Sequence, residues 1–172
     1  MKDFLNNFEL DITDLQLLDL LQTDASISNQ ALAERVHISP PTCLRRVKRL
    51  RDVGLIESQS VTLSIDKLAL AQGFGLFAIA EVSLDRQGAE ELDAFEQLVI
   101  EHEHVQQCWR VSPGPDFVLM VYAHDMPGYL ALAQKLFTSQ ANVRNVKTYF
   151  ATKRSKFSTH IPIQKGPHLP KN

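Results

Sequence analysis

Arg45, Arg46, Lys48, Arg49 and Arg51 place five basic side chains within seven positions. A guanidinium is a permanent cation whose planar donor fork fits guanine O6 and N7 or a phosphate. Such a block can meet a polyanion even though the whole chain carries a net charge of only −2. Placed on a helix, Cys43, Val47 and Leu50 share an apolar face with Leu44 at its margin. Thr42, Arg45, Arg46 and Arg49 follow i, i+3, i+4, i+7 and form a second, basic face, on which Arg45 and Arg46 are expected to be exposed. A basic helix face is often just solvated surface, so the elements around it decide its meaning.

Other chemistry-bearing residues are few. Ser112-Pro113-Gly114-Pro115-Asp116 is a turn by composition, set between apolar runs, and N–H groups of a glycine-containing turn can hold an anion. His102-Glu103-His104 pairs two imidazoles without a third ligand nearby, so no metal is expected. Cys43 and Cys108 form no CxxC pair, which disfavours a zinc module or disulfide framework and fits a reducing cytoplasm. No glycine-rich phosphate loop, Ser-His-Asp order or catalytic carboxylate pair stands out, and an enzyme is not expected.

The elements that must hold the basic face come first in the chain. Ile12, Leu15, Leu18 and Leu21 have helical spacing, with Thr13 and Gln16 read as a capping box. Ser28 can cap a second helix carrying Ala31, Leu32 and Val36. Ser39 and Pro40 start the third, basic helix, which Gly54 ends. Leu55–Glu57 and Val61–Ile65 read as two short strands. Three helices and a hairpin over residues 1–65 are the plan of a winged helix-turn-helix, followed by a linker at 66–74. In such a module the third helix enters the major groove, and Arg45, Arg46 and Arg49 would read bases. Ser28, Asn29, Gln30, Ser39, Pro40 and Thr42, at the starts of helices two and three, would meet phosphates.

The second half alternates differently. Strand-like stretches at 76–84, 105–111, 117–123 and 143–151, with helical ones at 89–101 and 126–137, give the order βαββαβ. That order predicts a ferredoxin-like domain over residues 75–160, with an irregular tail at 161–172. The fold class expected is α+β: a winged helix-turn-helix and then a ferredoxin-like βαββαβ domain. No apolar run reaches the roughly 18 residues of a membrane-spanning helix, and the acidic N-terminus lacks a signal-peptide pattern.

Several stretches resemble the Lrp/AsnC, or feast/famine, family of bacterial regulators. They are Leu10-Asp11, Leu32 to Val36, Ile38-Ser39-Pro40, Arg45 to Leu50, and Gly54-Leu55-Ile56. In the second half, Cys108 to Ser112, Asp116-Phe117 and His160 to Ile163 match too. The resemblance implies a cytoplasmic transcription regulator that dimerises through its second domain, with an octamer as a higher assembly. It implies a small amino-acid effector, leucine or methionine first, bound at subunit interfaces. Val111, Ser112, Pro113, Gly114, Pro115, Asp116 and Phe117 would form its loop, with Thr148 facing the same pocket. Pro113 stands where the family has glycine, and proline has no N–H to offer. A dimer implies a pseudo-palindromic operator in double-stranded DNA. The family's siroheme-decarboxylase relatives would need histidines around a tetrapyrrole cleft, which six scattered histidines do not supply.

Overall fold

A computed structural model describes residues 9–73 and 75–163 of the 172-residue chain. Two compact units result: residues up to Val61 together with those from Lys156 onward, and Thr62–Ser155.

The first unit holds three helices, α1 (Ile12–Thr23), α2 (Asn29–Arg35) and α3 (Pro40–Asp52). The capping box of α1 lies earlier than the sequence suggests. Asp11 is the N-cap, accepting from the Asp14 N–H, and Asp14 returns the bond to the Asp11 N–H. Ser28 caps α2 as expected, its Oγ accepting from the Ala31 N–H. The turn to α3 places His37 in the left-handed region at φ 55°. Leu17, Leu32, Ala33, Val36, Cys43, Val47 and Leu50 form one core. Gly54 follows α3 at φ +76°, and the Leu55 N–H closes the end onto Leu50 O.

The wing strands expected at 55–57 and 61–65 are not formed. Residues 55–64 run without strand ladders, and Val61 and Leu63 are exposed, so no apolar contact fixes a pairing register. Gln59 fastens this loop instead, accepting from Arg51 Nη2 and donating to Ala25 O. The expected tail also begins in order: Gln22 brackets Ile161, accepting from its N–H at 2.7 Å and donating to its carbonyl at 3.2 Å. Residues 164–172 of that tail lie outside the described residues.

The second unit opens with α4 (Ile65–Gln72), capped by Ser64, where a linker was expected at 66–74; Phe74 lies outside the described residues. Then follow β1 (Leu76–Leu84), α5 (Ala89–Ile100), β2 (Val105–Arg110), β3 (Phe117–Ala123), α6 (Met126–Ala133) with a π-helical turn at Gln134–Thr138, and β4 (Val143–Phe150). The antiparallel sheet has the order β2-β3-β1-β4, as the ferredoxin-like reading requires. Period-two alternation turns Ala78, Ala80, Val82 and Leu84 of β1 and Phe117, Leu119, Val121 and Ala123 of β3 onto the helices. Phe95, Val99, Leu132, Leu136 and Phe137 cover them. The opposite face carries Ile79 against Met120 and Tyr149, and Trp109 against Val118, with Trp109 58% exposed.

Phe117 is fully buried and tilts against Phe95 at 4.9 Å between ring centroids. It is therefore a core residue rather than part of a ligand surface. Phe117→Ala should lower unfolding free energy by about 3–5 kcal/mol in a urea titration of the full chain.

Candidate nucleic-acid interface and ligand loop

Helix α3 projects its apolar face into the core as predicted, but its basic face divides. Asp14 of α1 is fully buried, and Arg46 and Arg49 converge on it. Arg46 Nη1 donates to Asp14 Oδ1 at 2.8 Å and to Asp11 Oδ2 at 2.7 Å, and Arg49 Nη2 donates to Asp14 Oδ2. Hydrogen bonding by Asp14, then by Asp11, pushes the Arg46 guanidinium further up its already high range. At Asp11 burial acts upward, but the N–H of Asp14 and the Arg46 guanidinium prevail and hold the carboxyl below its usual range. The expectation that Arg46 is exposed is thus corrected, whereas Arg49 stays exposed, its side chain at 45%, while pairing with Asp14. The side chain of Arg46 is only 25% exposed, and both arginines are engaged in joining α3 to α1. Their spacing is helical, but 46 and 49 lie at the border with α1, where a carboxylate meets them.

Arg45 differs. It points outward with no acid partner among the described residues. The other proposed DNA contacts are placed as follows. Asn29 is half-buried, and its amide donates to Pro40 O at 2.9 Å, tying the start of α2 to the first turn of α3. Ser39 and Thr42 share a hydroxyl hydrogen bond of 2.8 Å, so Ser39 makes no side-chain cap to the helix backbone. Ser28 serves its cap, Gln30 reaches Glu34 at 3.4 Å, and Pro40 is exposed at the helix start. Sequence reasoning missed Asp11 and Asp14 as partners of the basic helix. The signal was present in two acids three apart at a helix start, a capping pair whose outer oxygens remain available.

In the second unit, Ser112–Asp116 is the β2–β3 turn. The Val111 N–H donates to Asp116 O, and the Asp116 N–H to Val82 O. The Asp116 carboxylate is itself part of the framework, because Oδ2 accepts from the Leu84 N–H at 2.7 Å and from Gln87 Nε2 at 3.2 Å. It thereby holds the bulged end of β1 to the turn. Arg110, at the end of β2, pairs with Asp93 at 2.6 Å and with Glu96, anchoring the other side of the turn to α5. Gly114 takes φ +123°, and no atom lies within 4 Å of where its Cβ would stand. Ser112 and Pro113 are exposed and Val111 and Pro115 half-buried. Thr148 does not join them within one chain. It lies on β4, opposite Ala80 and so on the helix side of the sheet, with β3 and β1 between it and β2. There it bonds Tyr129 Oη and lines a groove of about 430 Å³ with Phe137, Thr138 and Arg144. Among the described residues no cluster of three or more His, Cys, Asp or Glu could hold a metal, and no helix is long and apolar enough to cross a membrane.

The ion cluster sets a stability test. Asp14→Ala leaves two guanidiniums without their buried partner and should cost about 3–5 kcal/mol, whereas Arg45→Ala should stay within about 0.5 kcal/mol. Chemical denaturation of both variants distinguishes this from a basic face that is solvated throughout, for which the two costs would be alike. Asp11 adds a pH term. Its carboxyl is depressed in the folded state, so its contribution is present at neutral pH and is lost as pH falls through the folded value; Asp11→Asn should flatten that acid limb.

Comparison with known proteins agrees with both halves of this geometry. Residues 10–57 match the family model for winged helix-turn-helix DNA-binding, and residues 77–161 that for the Lrp/AsnC ligand binding domain. A leucine-responsive regulatory protein of Rhizobium meliloti is 34% identical over 90% of this chain and 97% of its own length. The DNA-binding transcriptional activator DecR of Escherichia coli is 32% identical over 90% of this chain and 99% of its own. Among solved structures, a transcriptional regulator of Neisseria meningitidis in complex with L-Met superposes with a TM-score of 0.77. It is 29% identical, with 90% of this chain and 97% of that one covered. With an intact helix-turn-helix ahead of a matching ligand-binding domain, the chain belongs to the Lrp/AsnC family of DNA-binding transcriptional regulators and is not an enzyme.

Proposed function

We propose that this chain is a homodimeric, sequence-specific regulator working in a reducing cytoplasm, whose DNA binding responds to leucine or methionine. The observation that carries the effector reading is the β2–β3 turn. It is pinned at both ends by Arg110 and Asp116, while its apex at Gly114 is left open. A zwitterion needs donors for its carboxylate and an acceptor for its ammonium. The N–H groups of Ser112 and Gly114, the donors of the turn that the backbone bonds leave, supply the first. Asp116 keeps Oδ1 without a partner among the described residues and supplies the second. The structural relative holding L-Met and the curated leucine-responsive relative support an apolar side chain. Burying such a side chain gains about 1.5–3 kcal/mol, whereas a charged one would need a buried counterion.

Loop and Thr148 groove stand at different strands of the sheet, so a pocket using both requires a neighbouring subunit. The open sheet face supports self-association. Ile79, Met120, Val118, Trp109 and Tyr149 form an apolar surface on the side away from the helices, suited to a second copy of itself. A dimer built there would present two copies of α3 to a pseudo-palindromic operator, with an octamer as the further assembly.

A thermal-shift screen of the twenty amino acids tests the effector. Leucine or methionine should raise Tm, ligand at about 100 times Kd contributing about 2.7 kcal/mol. Gly114→Val should abolish that shift and leave ligand-free DNA binding intact, since a β-branched residue is strained at positive φ. A shift retained in Gly114→Val puts the effector elsewhere. For assembly, Trp109→Asp should convert dimer to monomer in sedimentation; an unchanged mass means the sheet face is not the interface.

A further inference from the structure

Leu44 is out of place for a leucine in a helix of the first core. Its neighbours Cys43, Val47 and Leu50 are buried, yet Leu44 is 59% exposed. It lies on the side of α3 that also carries Pro41, Arg45 and Lys48, all exposed or half-exposed. The only acid of the helix is Asp52, its last residue, remote from the N-terminal turns. The opposite flank, with Arg46 and Arg49, is the one Asp14 holds against α1. The outermost surface of the basic helix is therefore a leucine and a proline beside an uncommitted arginine.

We infer that Leu44 and Arg45 are the base-reading pair, Leu44 packing on a thymine methyl group and Arg45 forking onto an adjacent guanine. Asp14 is the positioning residue that keeps Arg46 and Arg49 out of the groove. This rests on the reading of α3 as the helix that enters the major groove.

The chemistry fits in three respects. In the major groove thymine alone presents a methyl group, and only an apolar side chain recognises it. The N-terminal turns of a recognition helix face the base edges, and Pro41, Leu44 and Arg45 belong to them. Charge complementarity selects DNA as the occupant of an otherwise unfavourable exposed leucine: Arg45 and Lys48 flank it, and a protein partner would need acids placed against both.

The test begins with duplexes selected from a randomised pool by the full-length chain. On the selected duplex each thymine is then replaced singly by deoxyuridine, which removes only the methyl group. At one thymine in each half-site the replacement should cost the wild type about fourfold in affinity, the value of one buried methyl group. The same replacement should cost Leu44→Ala nothing, although Leu44→Ala folds with wild-type stability. Arg45→Ala should lose at least about tenfold at a neighbouring guanine, while base preference survives Arg49→Lys. If deoxyuridine costs both proteins alike at every position, Leu44 reads no methyl group and the inference is overturned alone. If no duplex is enriched, the sequence-specific reading of the chain falls and this inference with it.

Discussion

A carboxylate removed from water is tolerated only when its lone pairs are taken up, and Asp14 meets that demand with bonds that define the first unit. One oxygen accepts from Arg46; the other accepts from Arg49 and the Asp11 N–H. One side chain thus caps the start of the first helix, fixes its contact with the third, and sets which cations of the third remain outward. The apolar core buries Cys43, Val47 and Leu50 on the same side of the third helix, and the ion cluster adds a directional constraint to that packing.

The second unit uses a carboxylate in the same way at a lower degree of burial. Asp116 reaches across from the start of β3 to the bulged end of β1. The loop that precedes it is then closed by the Val111 and Asp116 backbone bonds. Its two prolines fix φ at positions 113 and 115, and backbone bonds fasten both of its ends, leaving Gly114 as the free apex. Both units follow one scheme, an acid that fixes the neighbouring segment without being its most exposed part.

Much of this was legible in the sequence because it rests on periodicity. The βαββαβ order, the buried face of α3, the Ser28 cap and the placement of Pro40 all follow from spacing and local chemistry. Three features were not. The wing was expected from alternation at 61–65, but alternation specifies a strand only where one face is buried, and Val61 and Leu63 have nothing to cover them. The pairing of Arg46 and Arg49 was not legible because a helix wheel knows its own faces and not its neighbours'. The acids that claim them sit 32 or more positions away and look, locally, like an acidic terminus. Thr148 was grouped with the ligand loop on resemblance, whereas strand order separates them within one chain.

Counting cations therefore overstates how strongly charge can drive this helix onto DNA. Of the five bases between positions 45 and 51, Arg46 and Arg49 are offset by Asp14 and Asp11, and Arg51 is turned toward Gln59. Arg45, Lys48 and Arg51 remain exposed with no acid partner among the described residues, since the Gln59 amide is neutral. Each phosphate neutralised releases about one counterion, so a helix with three uncompensated cations gains less sequence-independent affinity than its five bases suggest. Non-specific binding weakens accordingly, and discrimination between sites depends on base edges rather than phosphates.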